Sequence, residues 1–239
     1  IRWAFSYLKK KINNNIFLKT NKTIILNCIL IDRDCLNSRN FFYLKNLPIE
    51  KESFAIIPVE GKLNQVIVYG SDTRGLVYAI TELADRIENI ISGKNILNKI
   101  IFKTIESPKT KIRSISKCFE SDVEDLSWFN DKKMWSEYLD MLITNRFNRL
   151  TFTVGMQYNY PYGNEFIKDV YLYCAYPFLI KPKNYSIYAE GLSPNERSNN
   201  LEILKFISDE AFKRGLEFQL AIWTQRYDFN NAPNANYQI

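Results

Sequence analysis

Carboxylates, amides and aromatic rings are the groups with which this 239-residue sequence can do chemistry, because it contains no histidine. A Ser-His-Asp or Cys-His nucleophile and an HExxH zinc site are therefore excluded. Any general acid or base must be Asp, Glu, Tyr, Lys or Cys. Such residues gather in three places. Glu120, Asp122, Glu124 and Asp125 stand close to Trp128; Gln157, Tyr158, Asn159, Tyr160 and Tyr162 form a second group. The third is Trp223, Thr224, Gln225, Arg226, Tyr227 and Asp228. Sugar rings present flat C–H faces that pack on Trp and Tyr, while their hydroxyls need the donors and acceptors of Asn, Gln and Asp. These residue types suit a carbohydrate better than a phosphate or a metal.

Each group also has a plainer reading. Glu120 is the one candidate for a catalytic or substrate contact among the acids, against a loop start that faces solvent. Asp122, Glu124 and Asp125 read as a solvated run or as charge at a helix start. Of Tyr158, Tyr160, Tyr162, Tyr171, Tyr173, Tyr176, Tyr185 and Tyr188, the first two or three are expected to face ligand and the others to pack together. Trp223 stands as a sugar platform or as packing at a strand end. Arg226 can grip a carboxylate bidentately or pair with Asp228. Gly70 to Gly75 has the outer glycine spacing of a phosphate loop, but Leu76 and Val77 stand where Lys-Ser/Thr is needed, so it reads as a helix-capping turn. The Asn-x-Ser/Thr triplets at Asn21 and Asn184 are too short to weigh.

The elements that would position these residues fall into two rhythms. Residues 3–12 carry helical spacing, with Trp3, Ala4, Phe5, Tyr7, Leu8 and Ile12 apolar, and residues 23–31 are a β-branched strand. Ser53–Val59 and Gln65–Tyr69 alternate around Gly61 as a hairpin. Ser71 or Asp72 caps a helix with Leu76, Val77, Ile80, Leu83, Ala84 and Ile87 on one face, ending near Gly93. A strand over Lys99–Thr104 then leads to a linker at Glu106-Ser107-Pro108.

From there the order becomes strand, helix, strand, helix, strand. The strands are Lys111–Phe119, Arg149–Val154 and Glu217–Trp223. Asp131 opens the first helix, with Met134, Trp135, Tyr138, Leu139, Leu142 and Ile143 as its stripe. Asn199 or Asn200 opens the second, with Leu201, Leu204, Ile207 and Ala211 on one face and Gly215 closing it. This alternation implies parallel βαβ units. Residues 108–239 hold three such strands, where a (β/α)8 barrel needs about 250 residues and eight. The expectation is the opening of a barrel, and Ile1 in place of Met supports a piece of a longer chain.

Composition sets outer limits. The chain is 46% hydrophobic and 24% charged, which is enough to build a core and excludes wholesale disorder. Net charge is +6, yet the basic residues are spread thinly and the densest cluster is Lys9, Lys10 and Lys11. We expect no nucleic-acid partner. No apolar run approaches the roughly 20 residues of a membrane span, and no membrane partner is expected. Cys28, Cys35, Cys118 and Cys174 show no C-x-x-C pair, so no metal or redox motif is read, and Cys28 and Cys118 are expected as buried free thiols. No signal-peptide pattern stands at the start, which slightly favours a cytoplasmic location.

Three stretches carry a resemblance. Val68-Tyr69-Gly70-Ser71-Asp72-Thr73-Arg74-Gly75-Leu76-Val77-Tyr78-Ala79 resembles the G-x-D-x-R-G-x-x-Y turn of the accessory domain that precedes the barrel in family 20 β-hexosaminidases and in α-glucuronidases. Pro108 to Ser114 resembles the way that barrel begins, and Asn145-Arg146-Phe147-Asn148-Arg149-Leu150 resembles its N-x-x-N-R-L turn into strand two. The layout is most similar to that of uncharacterised bacterial proteins, with Gly155 to Pro161 after strand two and Ile222-Trp223-Thr224 ending strand three.

The resemblance implies an α+β accessory domain over 1–107, zincin-like without zinc, and the first three units of a (β/α)8 barrel over 108–239. It implies a glycoside hydrolase acting on a carbohydrate with no cofactor or metal, through two carboxylic groups around an oxocarbenium-like transition state. Where family 20 enzymes have a His-x-x-Asp segment after strand two, this sequence has Thr153-Val154-Gly155-Met156-Gln157. The family's Asp-Glu pair, at the end of strand four, has no counterpart before Ile239. The catalytic residues are thus unassigned apart from the candidate Glu120. The expected substrate-binding set is Gln157, Tyr158, Asn159, Trp223, Gln225, Arg226, Tyr227 and Asp228. The alternative is a non-catalytic carbohydrate-binding or scaffold protein on the same fold.

Overall fold

The computed structural model describes residues 1–15, 27–32, 46–62, 64–90, 100–119, 122–154, 179 and 193–222, without the side chains of 27–32 and 122–124. Its elements are α1 (Arg2–Asn14), β1 (Asn27–Asp32), β2 (Phe54–Pro58), β3 (Gln65–Gly70), α2 (Thr73–Glu88) and β4 (Thr104–Glu106). They continue with β5 (Ser114–Phe119), α3 (Asp122–Phe129), α4 (Lys132–Thr144), β6 (Arg149–Val154), α5 (Pro194–Arg214) and β7 (Glu217–Ile222). Two units result: Ile1–Ile112 with Ile143–Arg146 and Lys213–Gly215, and Arg113–Leu142 with Phe147–Phe212 and Leu216–Ile239.

In the first unit the alternation around Gly61 does form a hairpin, with β2 antiparallel to β3 and Gly61 at φ +72°. The sheet order is β1-β3-β2-β4, and β1 runs parallel to β3. Central β3 is covered on both faces, which is why Val66, Ile67, Val68 and Tyr69 are all buried. On one face Ala55, Ile67 and Tyr69 pack with Leu47, Ile57 and Val59. α2 packs against β3 and β2 with Leu76, Val77, Ile80, Leu83 and Ala84 buried.

The turn from β3 into α2 depends on missing side chains. A Cβ on Gly70 would lie 2.1 Å from Leu76 N, and one on Gly75 would lie 2.2 Å from Ser53 O. Asp72 is the cap: its Oδ1 accepts from Gly75 N at 2.8 Å, and its Oδ2 accepts from Glu52 N at 3.0 Å. Ser71 ties the same corner, donating through its amide to Ser53 O at 2.9 Å and accepting at Oγ from Ser53 N at 3.0 Å. The stretch that spells a phosphate-loop spacing is a structural corner.

Two boundaries differ from expectation. The last strand of this unit is Thr104–Glu106, not Lys99–Thr104, because buried Arg86 claims the preceding backbone. Its Nη1 donates to the carbonyls of Ile100 and Phe102, each at 3.2 Å, and its Nη2 donates to Thr104 Oγ1 at 2.6 Å. α2 stops at Glu88, ahead of Gly93, where Asn89 forms the C-cap. Carbonyls of that last turn are taken by Asn15, whose Nδ2 donates to Ile87 O at 2.7 Å and Ile90 O at 3.2 Å.

α1 lies against α2. Tyr7 donates to Asp85 Oδ1 at 3.2 Å, and Lys11 pairs with Glu88. Burial pushes the Asp85 carboxyl above its ordinary value, against the opposing pull of the Tyr7 hydrogen bond and the Lys11 and Arg146 charges; Glu82 adds to the rise.

In the second unit β5, β6 and β7 form a parallel sheet in that order. On one face Phe119, Phe129, Trp135, Leu150 and Phe152 are all fully buried, while Leu220 and Ile222 of β7 on the same face are exposed. Phe129 stacks on Phe152 at 5.7 Å between centroids, with Phe119 edge-on to Phe129 at 5.3 Å. Such pairs add about 0.5–1.5 kcal/mol each beyond burial. Asp131 caps α4 as expected, its Oδ1 accepting from Lys133 N and Met134 N at 2.9 Å. α5 begins five residues before the expected Asn199, at Pro194, with Ser193 Oγ accepting from Glu196 N at 3.1 Å. Gly215 at φ +84° closes it. Cys118 is half-buried where a buried thiol was expected.

Three outcomes are expected. Gly75→Ala forces a methyl into the Ser53 carbonyl and should lower the urea stability of the first unit by about 3 kcal/mol. Gly61→Ala meets nothing within 4 Å and should cost only the left-handed backbone term, about 1 kcal/mol. Because the folded Asp85 pKa lies above its unfolded value, folded chain holds the extra proton. Stability from this group is therefore present below the ordinary value of 3.8 and declines as pH rises through the raised folded value. Comparing wild type with Asp85→Asn in urea titrations across acid to neutral pH should show the variant gaining relative stability through that window.

Candidate functional site

Asn148 sets the geometry on which any site in the second unit rests. Its Oδ1 accepts from Arg113 N at 2.8 Å, its amide donates to Arg113 O at 3.0 Å, and its carbonyl accepts from Glu217 N at 2.9 Å. One buried side chain and its backbone thereby hold the starts of β5, β6 and β7 together. The registers that follow align Ser114 with Arg149 and Glu217, and end with Phe119, Val154 and Ile222 in a single row. Three parallel strands thus finish level, at the end where ligand sites of parallel α/β sheets gather.

The sheet faces differ in chemistry. Opposite the aromatic layer, Ser114, Ser116 and Cys118 of β5 share a side with Arg149, Thr151 and Thr153 of β6 and Glu217, Gln219 and Ala221 of β7. Ser114 Oγ and Thr151 Oγ1 are 3.1 Å apart, and Thr151 Oγ1 donates to Gln219 Oε1 at 3.3 Å. At the amino-terminal end of the strands Arg149 grips Glu217 through Nε at 3.0 Å and Nη2 at 2.7 Å.

The sequence-derived site residues start just past the carboxyl-terminal row. Glu120 follows Phe119; Gln157, Tyr158 and Asn159 lie three to five positions after Val154; Trp223, Gln225, Arg226, Tyr227 and Asp228 follow Ile222. All nine lie outside the described residues, as does the expected end of β7 at Trp223. The backbone of Asp122 and Glu124 belongs to α3, an eight-residue helix, which agrees with the reading of these acids as charge at a helix start rather than as a solvated run.

Asp125 and Trp128 are described. Trp128 donates from Nε1 to Asp125 Oδ1 at 2.7 Å, and its ring lies edge-on to Trp135 and Phe152 at 5.7 and 6.4 Å. Lys117 Nζ stands 3.8 Å from its centroid and 5.8 Å from that of Tyr138, whose hydroxyl burial pushes up in pKa. Trp128 is therefore engaged in packing and a cation–π contact rather than offered as a sugar platform. The Lys117–Trp128 contact was not read from sequence; Lys alternating with Ile115 and Phe119 on the helix-facing side was its signal. Among the described residues, no three His, Cys, Asp or Glu side chains gather as metal ligands.

The fold is similar to part of a solved glycoside hydrolase. The chain superposes on a GH138 enzyme described as targeting pectin rhamnogalacturonan II, with a TM-score of 0.56, 20% identity, and coverage of 92% of this chain and 23% of the enzyme. It is also similar to CpGH84B, with a TM-score of 0.48, 16% identity and coverage of 92% and 31%. A family GH115 4-O-methyl-α-glucuronidase, BtGH115A, described as specific for decorated arabinogalactans, matches at 0.45, 17% identity and coverage of 63% and 23%. The chain thus spans about a quarter to a third of the length of these structures. No family model and no curated protein matches the sequence. At such identities the GH138 likeness establishes a shared fold.

Replacing Asn148 by Ala leaves the Arg113 amide without its acceptor, and should lower the stability of the second unit by about 1–3 kcal/mol. Faster amide exchange at Arg113, measured by NMR or mass spectrometry, should accompany it; unchanged exchange would show that the clasp does not hold the strand starts.

Proposed function

We propose that this chain is part of a glycoside hydrolase and that a carbohydrate binds over the carboxyl-terminal ends of β5, β6 and β7. The observation that carries this reading is the level row Phe119–Val154–Ile222. It makes three strand ends neighbours, and the sequence that follows them supplies Glu120, then Gln157, Tyr158 and Asn159, then Trp223, Gln225, Arg226, Tyr227 and Asp228. The GH138 likeness supports the framework. The finer reading takes residues 1–107 as a zincin-like accessory domain of the hexosaminidase type, and residues 108–239 as the first three units of a (β/α)8 barrel.

Within that reading Gln157, Tyr158, Asn159, Trp223, Gln225, Arg226, Tyr227 and Asp228 contact the sugar, Glu120 is the candidate participant in catalysis, and no metal or cofactor is used. The chemistry needs one carboxylic acid to protonate the leaving oxygen and a second carboxylate to act as nucleophile or to activate water. The 239 residues contain no assigned pair for these roles. The absence of a His-x-x-Asp segment after β6 keeps a second reading in play, a binding protein on the same framework.

The proposed carbohydrate site is open to direct test. The purified 239-residue chain should turn over no aryl glycoside, while calorimetric titration with oligosaccharides should detect binding. Trp223→Ala with Tyr158→Ala should weaken that binding by about tenfold, the loss of stacking by two rings. Turnover by this chain would overturn its assignment as non-catalytic by itself. Full affinity in the double variant would remove the carbohydrate from this end of the sheet.

A further inference from the structure

We draw no further inference here: the strongest candidate, the polar face of the β5–β6–β7 sheet that carries Ser116 and Cys118 beside Thr151, Thr153 and Gln219, runs into the site already described at its carboxyl-terminal end, and nothing in the structure shows what covers the rest of it.

Discussion

The hydrogen bonds of Asn148 are the constraint from which the second unit follows. Side chains on a strand alternate between faces, so a slip of one residue would bring Ser116 and Thr151 into the aromatic layer and expel Phe119 and Phe152. Asn148 opposes that slip at the amino-terminal ends of the strands by joining the backbone of Arg113 to that of Glu217. The aromatic layer opposes it from the other side, since Phe152 is in ring contact with Phe129, Trp128 and Trp135 together. Register, and with it the level finish of the three strands, is thus fixed twice. A loop-built site requires that: side chains on three separate segments converge only if the segments start from fixed neighbouring points.

In the first unit the equivalent constraint is an absence of side chains. Gly70 and Gly75 let the first turn of α2 lie directly against the backbone of Ser53 and on the end of β3. Asp72 then satisfies amides from both the helix and the β2 approach, which joins capping to tertiary packing in one carboxylate. Arg74 extends the corner by pairing with Glu52. The G-x-D-x-R-G pattern therefore has a complete physical account as a packing corner, without any ligand.

Legibility of the sequence followed how local each signal was. The hairpin, the Asp72 and Asp131 caps and strand Arg149–Val154 were readable because turn residue, cap or alternation acts within a few positions. The start of α5 was also written locally, as Ser193-Pro194-Asn195-Glu196, a capping pattern with Pro at the first helical position; the polar run after it drew the boundary inward. β4 was misplaced for a non-local reason. Arg86, fourteen residues before Ile100, removes the carbonyls a strand there would have used. α3 is short and starts with acids, so its composition did not separate a helix from a charged loop. Of the candidate site, the sequence yielded the residue types and the order of the loops, while the register that aligns their starts depends on pairing across about 35 to 68 positions and leaves no local trace.

The two faces of the β5–β6–β7 sheet sharpen what the fold can be used for. A parallel sheet normally buries both faces in apolar side chains, and among the described residues one face carries them. The other carries hydroxyls, an amide, a thiol and an ion pair, joined in part by hydrogen bonds of their own. Covering such a face with an apolar layer would strand polar groups at about 1–3 kcal/mol each, so its stable surroundings are polar side chains or water. Polarity thus runs along one face from the Arg149–Glu217 pair towards Thr153 and Cys118, one row short of the carboxyl-terminal ends of β6 and β5. The carboxyl-terminal end of the sheet is thus continuous with a hydrogen-bonding face on one side and with packed rings on the other, a polar flank and a rigid base for the proposed site.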